Sequence, residues 1–311
     1  MALDAASQRF MAQFASSGAK PLHDMTPVEA RALVAELAAL AGPGPKMARV
    51  DDLEIATPTG AFPVRVAIPE GDIRGVLVWY HGGGWVIGSV AESDTLARKL
   101  AARTHCAVVN VDYRMAPEHR FPTAVNDCYA ALEWTSAQLA ELAGKRVPIL
   151  VGGDSAGGNL AAVVAQRARD RRGPAIAAQL LVYPVTDADF DRPSYTAADN
   201  QLLLARPTMQ WFWDHYLPRA ADRVHPDASP IRASSLAGLP PAIILTAEHD
   251  VLRDEGEAYA AALRQAGVPT VLRRFDGQLH GFFTLVNILP GHDAALEFAA
   301  TELDRQLAGG R

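Results

Sequence analysis

From residue 47 onward the chain alternates short β-type runs, the run Gly75 to Tyr80 nearly continuously apolar, with helix-length segments, and no other feature constrains its fold as tightly. The runs are 47 to 56, Phe62 to Ile68, Gly75 to Tyr80, Ala107 to Val111, Val147 to Val151, Gln179 to Tyr183, Ala242 to Thr246 and Thr270 to Phe275. A strand buried on both faces has no polar side to show. It reads as unbroken apolar sequence, and such strands belong to parallel sheets covered by helices. An α/β fold with a mainly parallel sheet is therefore expected. Ligands bind such sheets beyond the carboxyl ends of the strands, so the loops after each run are where chemistry is sought.

Two stretches fall outside the alternation. Residues 1 to 45 read as a helical arm: Leu3, Phe10 and Phe14 share one face, and Thr26-Pro27-Val28-Glu29 offers a capping box with proline at the first helical position. Ala30, Leu33, Val34, Leu37 and Leu40 form the expected buried stripe, and Gly42-Pro43-Gly44-Pro45 ends the arm as a linker. The second stretch, 186 to 225, carries Met209, Phe212, Trp213, Tyr216 and Leu217 at helical spacing. It reads equally as a helix packed on the core or as a lid, with Trp211 off the stripe and free to face a substrate. Residues 46 to 185 and 226 to 311 then make up the sheet unit.

Composition narrows the function. With 49% apolar and 21% charged residues the 311-residue chain is an ordinary globular one, long enough for two domains or one large core. A net charge of −6 with no basic block disfavours nucleic acid as a partner. No stretch reaches 18 apolar residues, so no membrane span is expected, and Asp4, Gln8 and Arg9 interrupt the place of a signal peptide. Only Cys106 and Cys128 are present, which suits a reducing, cytoplasmic setting.

Gly153-Asp154-Ser155-Ala156-Gly157 follows the strand ending at Val151 and precedes the helical run Asn159 to Ala168. Strand, sharp turn and helix are what a nucleophile elbow requires: the turn pushes Ser155 Oγ out at the sheet edge, and small flanking residues let strand and helix pass closely. A glycine-rich turn without chemistry gives the same pattern, so the motif needs partners. One is His81-Gly82-Gly83-Gly84-Trp85, after Val76 to Tyr80, where the amides of Gly83 and Gly84 can join that of Ala156 in donating to an oxyanion. No G-x-G-x-x-G or Walker pattern accompanies it, which disfavours a nucleotide.

A serine nucleophile also needs a histidine base and an acid that holds the base's tautomer. Asp250 follows the strand Ala242 to Thr246, and His280 follows Thr270 to Phe275. The order Ser155, Asp250, His280 is that of the α/β-hydrolase arrangement. Glu248 is a rival acid and His249 a decoy base, while His81 is expected to brace its loop. Neither H-E-x-x-H nor a paired-cysteine pattern occurs, so neither metal nor cofactor is expected.

Taken together, His81 to Trp85, Asp112 to Pro122, Gly152 to Leu160, Asp250 to Glu255 and His280-Gly281-Phe282 resemble the hormone-sensitive-lipase branch of the α/β-hydrolases, the bacterial carboxylesterases. The resemblance runs from about residue 47 to the C-terminus. It implies an eight-stranded, mostly parallel sheet, a cap made from the arm and the 186 to 225 insertion, and a homodimer by analogy. It also implies the triad Ser155, Asp250 and His280, with Gly83, Gly84 and Ala156 as oxyanion donors and Asp112 to Pro122 bracing a loop. Two departures stand out: Val251 replaces the family's usual proline, expected to loosen the acid loop, and Pro207 opens the cap helix, expected to shift the cap. A pocket bounded by Trp85, Met209, Trp211 and Phe212 is expected to favour short or medium acyl esters. An amidase or peptidase with the same triad stays open at this point, as does a binding protein built on the hydrolase fold.

Overall fold

The apolar runs become eight strands of one sheet: β1 (Arg49–Thr57), β2 (Gly60–Ile68), β3 (Gly75–Tyr80), β4 (Cys106–Val111), β5 (Ile149–Asp154), β6 (Ala178–Val182), β7 (Ala242–His249) and β8 (Thr270–Leu279). They lie in a computed structural model that describes residues 2–309. The order across the sheet is β1-β2-β4-β3-β5-β6-β7-β8. β2 is antiparallel to both its neighbours and every other pairing is parallel. The central strands are buried on both faces, which is why they read as unbroken apolar runs.

Helices α1 (Ala5–Ser16), α2 (Pro27–Ala39), α3 (Val90–Thr104), α4 (Thr123–Ala137), α5 (Leu139–Ala143), α6 (Ala156–Asp170), α7 (Pro193–Thr196), α8 (Arg206–Tyr216), α9 (Arg253–Gln265) and α10 (Gly291–Gly309) surround it. Successive strand residues point to opposite faces. Val78, Val109, Val151 and Ile244 accordingly pack with α4, α6 and α9, whereas Leu77, Leu150, Leu180 and Leu245 pack with α3 and α10. Cys106 belongs to the second layer and Cys128 to the first, so the two buried thiols are free and separated by the sheet. No helix among the described residues is long and apolar enough to cross a membrane.

The arm departs from expectation in one respect. Thr26 and Glu29 do form the capping box that starts α2. Of the expected buried stripe, however, only Ala30 is fully buried; Leu33, Val34 and Leu37 are half-buried and Leu40 is 65% exposed. The half-buried three line a cavity above the sheet, which leaves their outer surfaces uncovered by protein.

Candidate active site

The site begins where β5 ends. Ser155 stands between β5 and α6 with φ 55° and ψ −118°, a conformation costly for a non-glycine residue and held here by its own backbone bonds. Its amide donates to the Val182 carbonyl at 2.8 Å, and its carbonyl accepts from Asn159 at 3.0 Å and Val185 at 3.2 Å. Glycine is obligatory on both flanks: a Cβ on Gly157 would overlap the Tyr80 carbonyl, and one on Gly153 would overlap the Gly157 backbone.

The loops after β7 and β8 bring the two remaining groups to this turn. His280 Nε2 lies 3.1 Å from Ser155 Oγ, and His280 Nδ1 lies 2.8 Å from Asp250 Oδ2. Asp250 is fully buried and its Oδ1 accepts the Leu252 amide at 2.9 Å, which fixes the carboxylate plane. A carboxylate at Nδ1 selects the tautomer with the proton there, leaving Nε2 to accept from the serine hydroxyl. The Tyr183 ring packs against His280 at 4.6 Å between centroids. The rivals are held elsewhere: Glu248 Oε2 accepts the Gly277 amide, and His249 is buried with its nearest carboxylate oxygen, on Glu248, 3.9 Å away. Val251, at the departure from the family pattern, is fully buried and its carbonyl accepts from Ser194 Oγ at 2.6 Å.

The loop after β3 faces the serine. Gly83, Gly84 and Trp85 all have positive φ, at 102°, 56° and 61°, and the Gly83 carbonyl accepts from Val86 and Ile87, closing a tight turn. His81 braces it: its Nδ1 donates to the Gly82 carbonyl at 2.7 Å, its carbonyl accepts from Tyr113 Oη at 2.9 Å, and its ring stacks on Tyr113. Burial pushes the His81 imidazole toward its neutral form. The Asp112 to Pro122 block does similar work. Asp112 Oδ1 accepts the Val90 amide at the start of α3, and Arg114 grips buried Asp127.

Sequence reasoning missed Asp154. Its Oδ1 accepts the Gly82 amide at 3.0 Å, tying the Ser155 turn to the glycine loop, and burial pushes its carboxyl up to about 7. Its place beside Ser155 was the only signal that could have marked it.

Over these groups lies a cavity of about 500 Å³ that reaches Gly83, Gly84, Ser155 and His280. About half of its wall comes from the two stretches outside the α/β alternation, including Phe14, Leu33 and Leu37 from the arm and Leu204, Thr208 and Phe212 from the insertion. Of the four expected pocket residues only Phe212 lines it. Trp85 is fully buried, stacked on Tyr216 at 4.2 Å and edge-on to Trp213 at 4.8 Å, and Met209 is buried in the same core. Trp211 packs on Phe212 and His215 rather than on the cavity. The reason is helical phase: Pro207 sits in the first turn of α8, Thr208 and Phe212 share the cavity face, and Met209, Trp213 and Tyr216 share the core face.

Known proteins match this architecture. The family described as having the alpha/beta hydrolase fold matches residues 77–284. The chain is 43% identical over 263 residues to the carboxylic ester hydrolase LipN of Mycobacterium tuberculosis, covering 81% of this chain and 69% of that one. It belongs to the hormone-sensitive-lipase-like carboxylesterases. The ethyl acetate hydrolase of Pseudomonas putida is 37% identical to this chain over 294 residues, 92% of each. Among solved structures, a thermostable esterase from Pseudomonas putida superposes with a TM-score of 0.91 at 38% identity, covering 98% of each chain. The protein is thus a serine carboxylesterase by family and by fold.

Proposed function

We propose that this esterase cleaves short- to medium-chain acyl esters through Ser155, His280 and Asp250. The observation that carries the reading is the unbroken hydrogen-bond relay, 3.1 Å from Ser155 Oγ to His280 Nε2 and 2.8 Å from His280 Nδ1 to Asp250 Oδ2. His280 takes the Ser155 proton as the oxygen attacks the ester carbonyl, and Asp250 stabilises the imidazolium that forms. The amides of Gly83, Gly84 and Ala156 donate to the tetrahedral oxyanion, aided by the positive end of the α6 dipole. The imidazolium then protonates the departing alcohol. Water, deprotonated by the same histidine, releases the acid and restores Ser155.

Residues 1 to 45 and 186 to 225 act as the cap, and 46 to 185 with 226 to 311 as the catalytic domain. The apolar side chains that both cap segments contribute to the 500 Å³ cavity support that division and suit the acyl part of an ester. The two free, buried thiols support a reducing, cytoplasmic setting.

Replacing Ser155 by Ala should lower kcat on p-nitrophenyl butyrate by at least about 1,000-fold without loss of fold, and an alkyl phosphonate should label Ser155 alone. A Ser155→Ala protein that kept the parental rate would overturn the triad. Faster cleavage of long-chain triglycerides than of butyrate would overturn the acyl range.

A further inference from the structure

We infer that Arg31, on α2 of the arm, is a positioning residue for the oxyanion loop, so that the arm holds the donors in place as well as walling the cavity. Its guanidinium reaches across to three backbone or side-chain partners on the catalytic unit. Nε donates to the Val86 carbonyl at 2.8 Å and one terminal nitrogen donates to the Ala116 carbonyl at 2.9 Å. Both terminal nitrogens meet the Glu118 carboxylate, at 2.7 and 2.8 Å, in a fork that fixes the plane of the group.

These bonds close a ring around the one loop segment that most needs holding. The Ala116 amide donates to the Trp85 carbonyl at 2.9 Å, so the adjacent carbonyls of Trp85 and Val86 are both tied into the network, one through Ala116 and one directly. Trp85 is a bulky residue at φ 61°, following two glycines at positive φ. Such a conformation persists only where its surroundings over-determine it. Stacking on Tyr216 holds the indole, whereas Arg31 and Ala116 hold the backbone. Val86 in turn donates its amide to Gly83, whose own amide is a proposed oxyanion donor. Loss of the guanidinium would free the far side of this turn while leaving Ser155, His280 and Asp250 untouched.

The inference rests on the triad reading, and the test separates the two. The substrate is p-nitrophenyl acetate, whose acyl group is too small to need the arm's apolar wall. Arg31→Met should lower kcat on it by about 10- to 100-fold, short of the about 100- to 1,000-fold for removing an oxyanion donor outright, with KM changing less than about threefold. The affinity of a trifluoromethyl ketone, which mimics the oxyanion, should fall by the same factor as kcat/KM. Glu118→Gln, which keeps the bonds to Val86 and Ala116, should lose less, and Arg31→Lys should recover part of the loss through one carbonyl contact. If Arg31→Met fails to fold, the graded pair Glu118→Gln and Arg31→Lys carries the same comparison. Unchanged kcat in these variants, or a rise in KM with unchanged ketone affinity, overturns the role of Arg31 while the esterase reading stands. A parental protein inactive on every ester overturns the esterase reading itself.

Discussion

Two helices with similar sequence patterns do different work in this molecule. Helix α10 carries Leu296, Ala299, Leu303 and Leu307 at helical spacing and buries them against the sheet. Helix α2 also carries Ala30, Leu33, Val34 and Leu37 at helical spacing, yet all but Ala30 remain half-buried because their partner is a cavity. An apolar stripe says that a helix face must be covered; it does not say whether protein or substrate will cover it. The sheet side of the molecule therefore spends its apolar surface on stability, and the arm side keeps much of its own for binding.

The sharpest place to break this contrast is where the two regions touch. Gly84 lies directly beneath the Phe212 ring of α8, and any Cβ there would run into that ring. Gly84→Ala should lower kcat/KM about 100-fold or more by displacing a proposed oxyanion donor. Adding Phe212→Ala should recover part of that loss, while the strain of alanine at φ 56° keeps recovery incomplete. Full activity in the single variant would mean that the cap and the loop are not in firm contact.

Paired truncations sharpen the contrast further. Leu303→Ala, fully buried on α10, should cost about 2–5 kcal/mol in stability and leave KM unchanged. Leu37→Ala should cost less than about 1 kcal/mol but raise KM for p-nitrophenyl hexanoate about fivefold, as expected for loss of about 1 kcal/mol of apolar contact. Denaturation midpoints and Michaelis curves on the same preparations test both. Equal destabilisation by the two changes would erase the distinction between the regions.

A last expected effect is electrostatic. Burial raises Asp154 from 3.8 to about 7 and Glu255 from 4.5 to about 8, so between those values the folded protein keeps protons that the unfolded chain has released. Their contribution to stability is greatest below the unfolded values and is lost as pH rises through about 7 and about 8. Glu118, in the fork with Arg31 at the arm, goes the other way. Its carboxyl is lowered from 4.5 to about 2, so its contribution is present above 4.5 and lost as pH falls through about 2, and it is small because the pair is exposed to solvent. Melting temperature followed from mild acid to mild base should therefore fall, and Glu255→Gln should flatten the slope. A slope unchanged by that substitution would remove Glu255 from this account.

The same contrast explains what could be read from the sequence. All eight strands were legible: β3 to β7 are buried on both faces and leave continuous apolar runs, while β1, β2 and β8, partly exposed, showed as short β-type runs between them. Their ends were less so: β5 runs on through Gly152 and Gly153, both paired in the ladder, to Asp154, and β8 continues past Gly277, at φ 67° in a register shift, to Leu279. The loop positions of Ser155, Asp250 and His280 followed from the strand ends and the motif order. The cavity walls were not legible, because Trp85 and Met209 have the composition of pocket residues and only helical phase and the Tyr216 stack commit them to the core. Arg31 lies 85 residues from Ala116, and no local pattern links the two.

The placement of the two cysteines has a practical consequence. Each thiol lies out of solvent on its own side of the sheet, and burial pushes Cys106 up to about 11 and Cys128 well above its ordinary value, so neither presents a thiolate to an alkylating reagent while the fold is intact. A single reporter cysteine placed on the exposed face of the arm, for instance Val28→Cys, would thus be modified against a silent background. Fluorescence from a dye attached there could follow the arm during turnover, with no native residue first having to be removed.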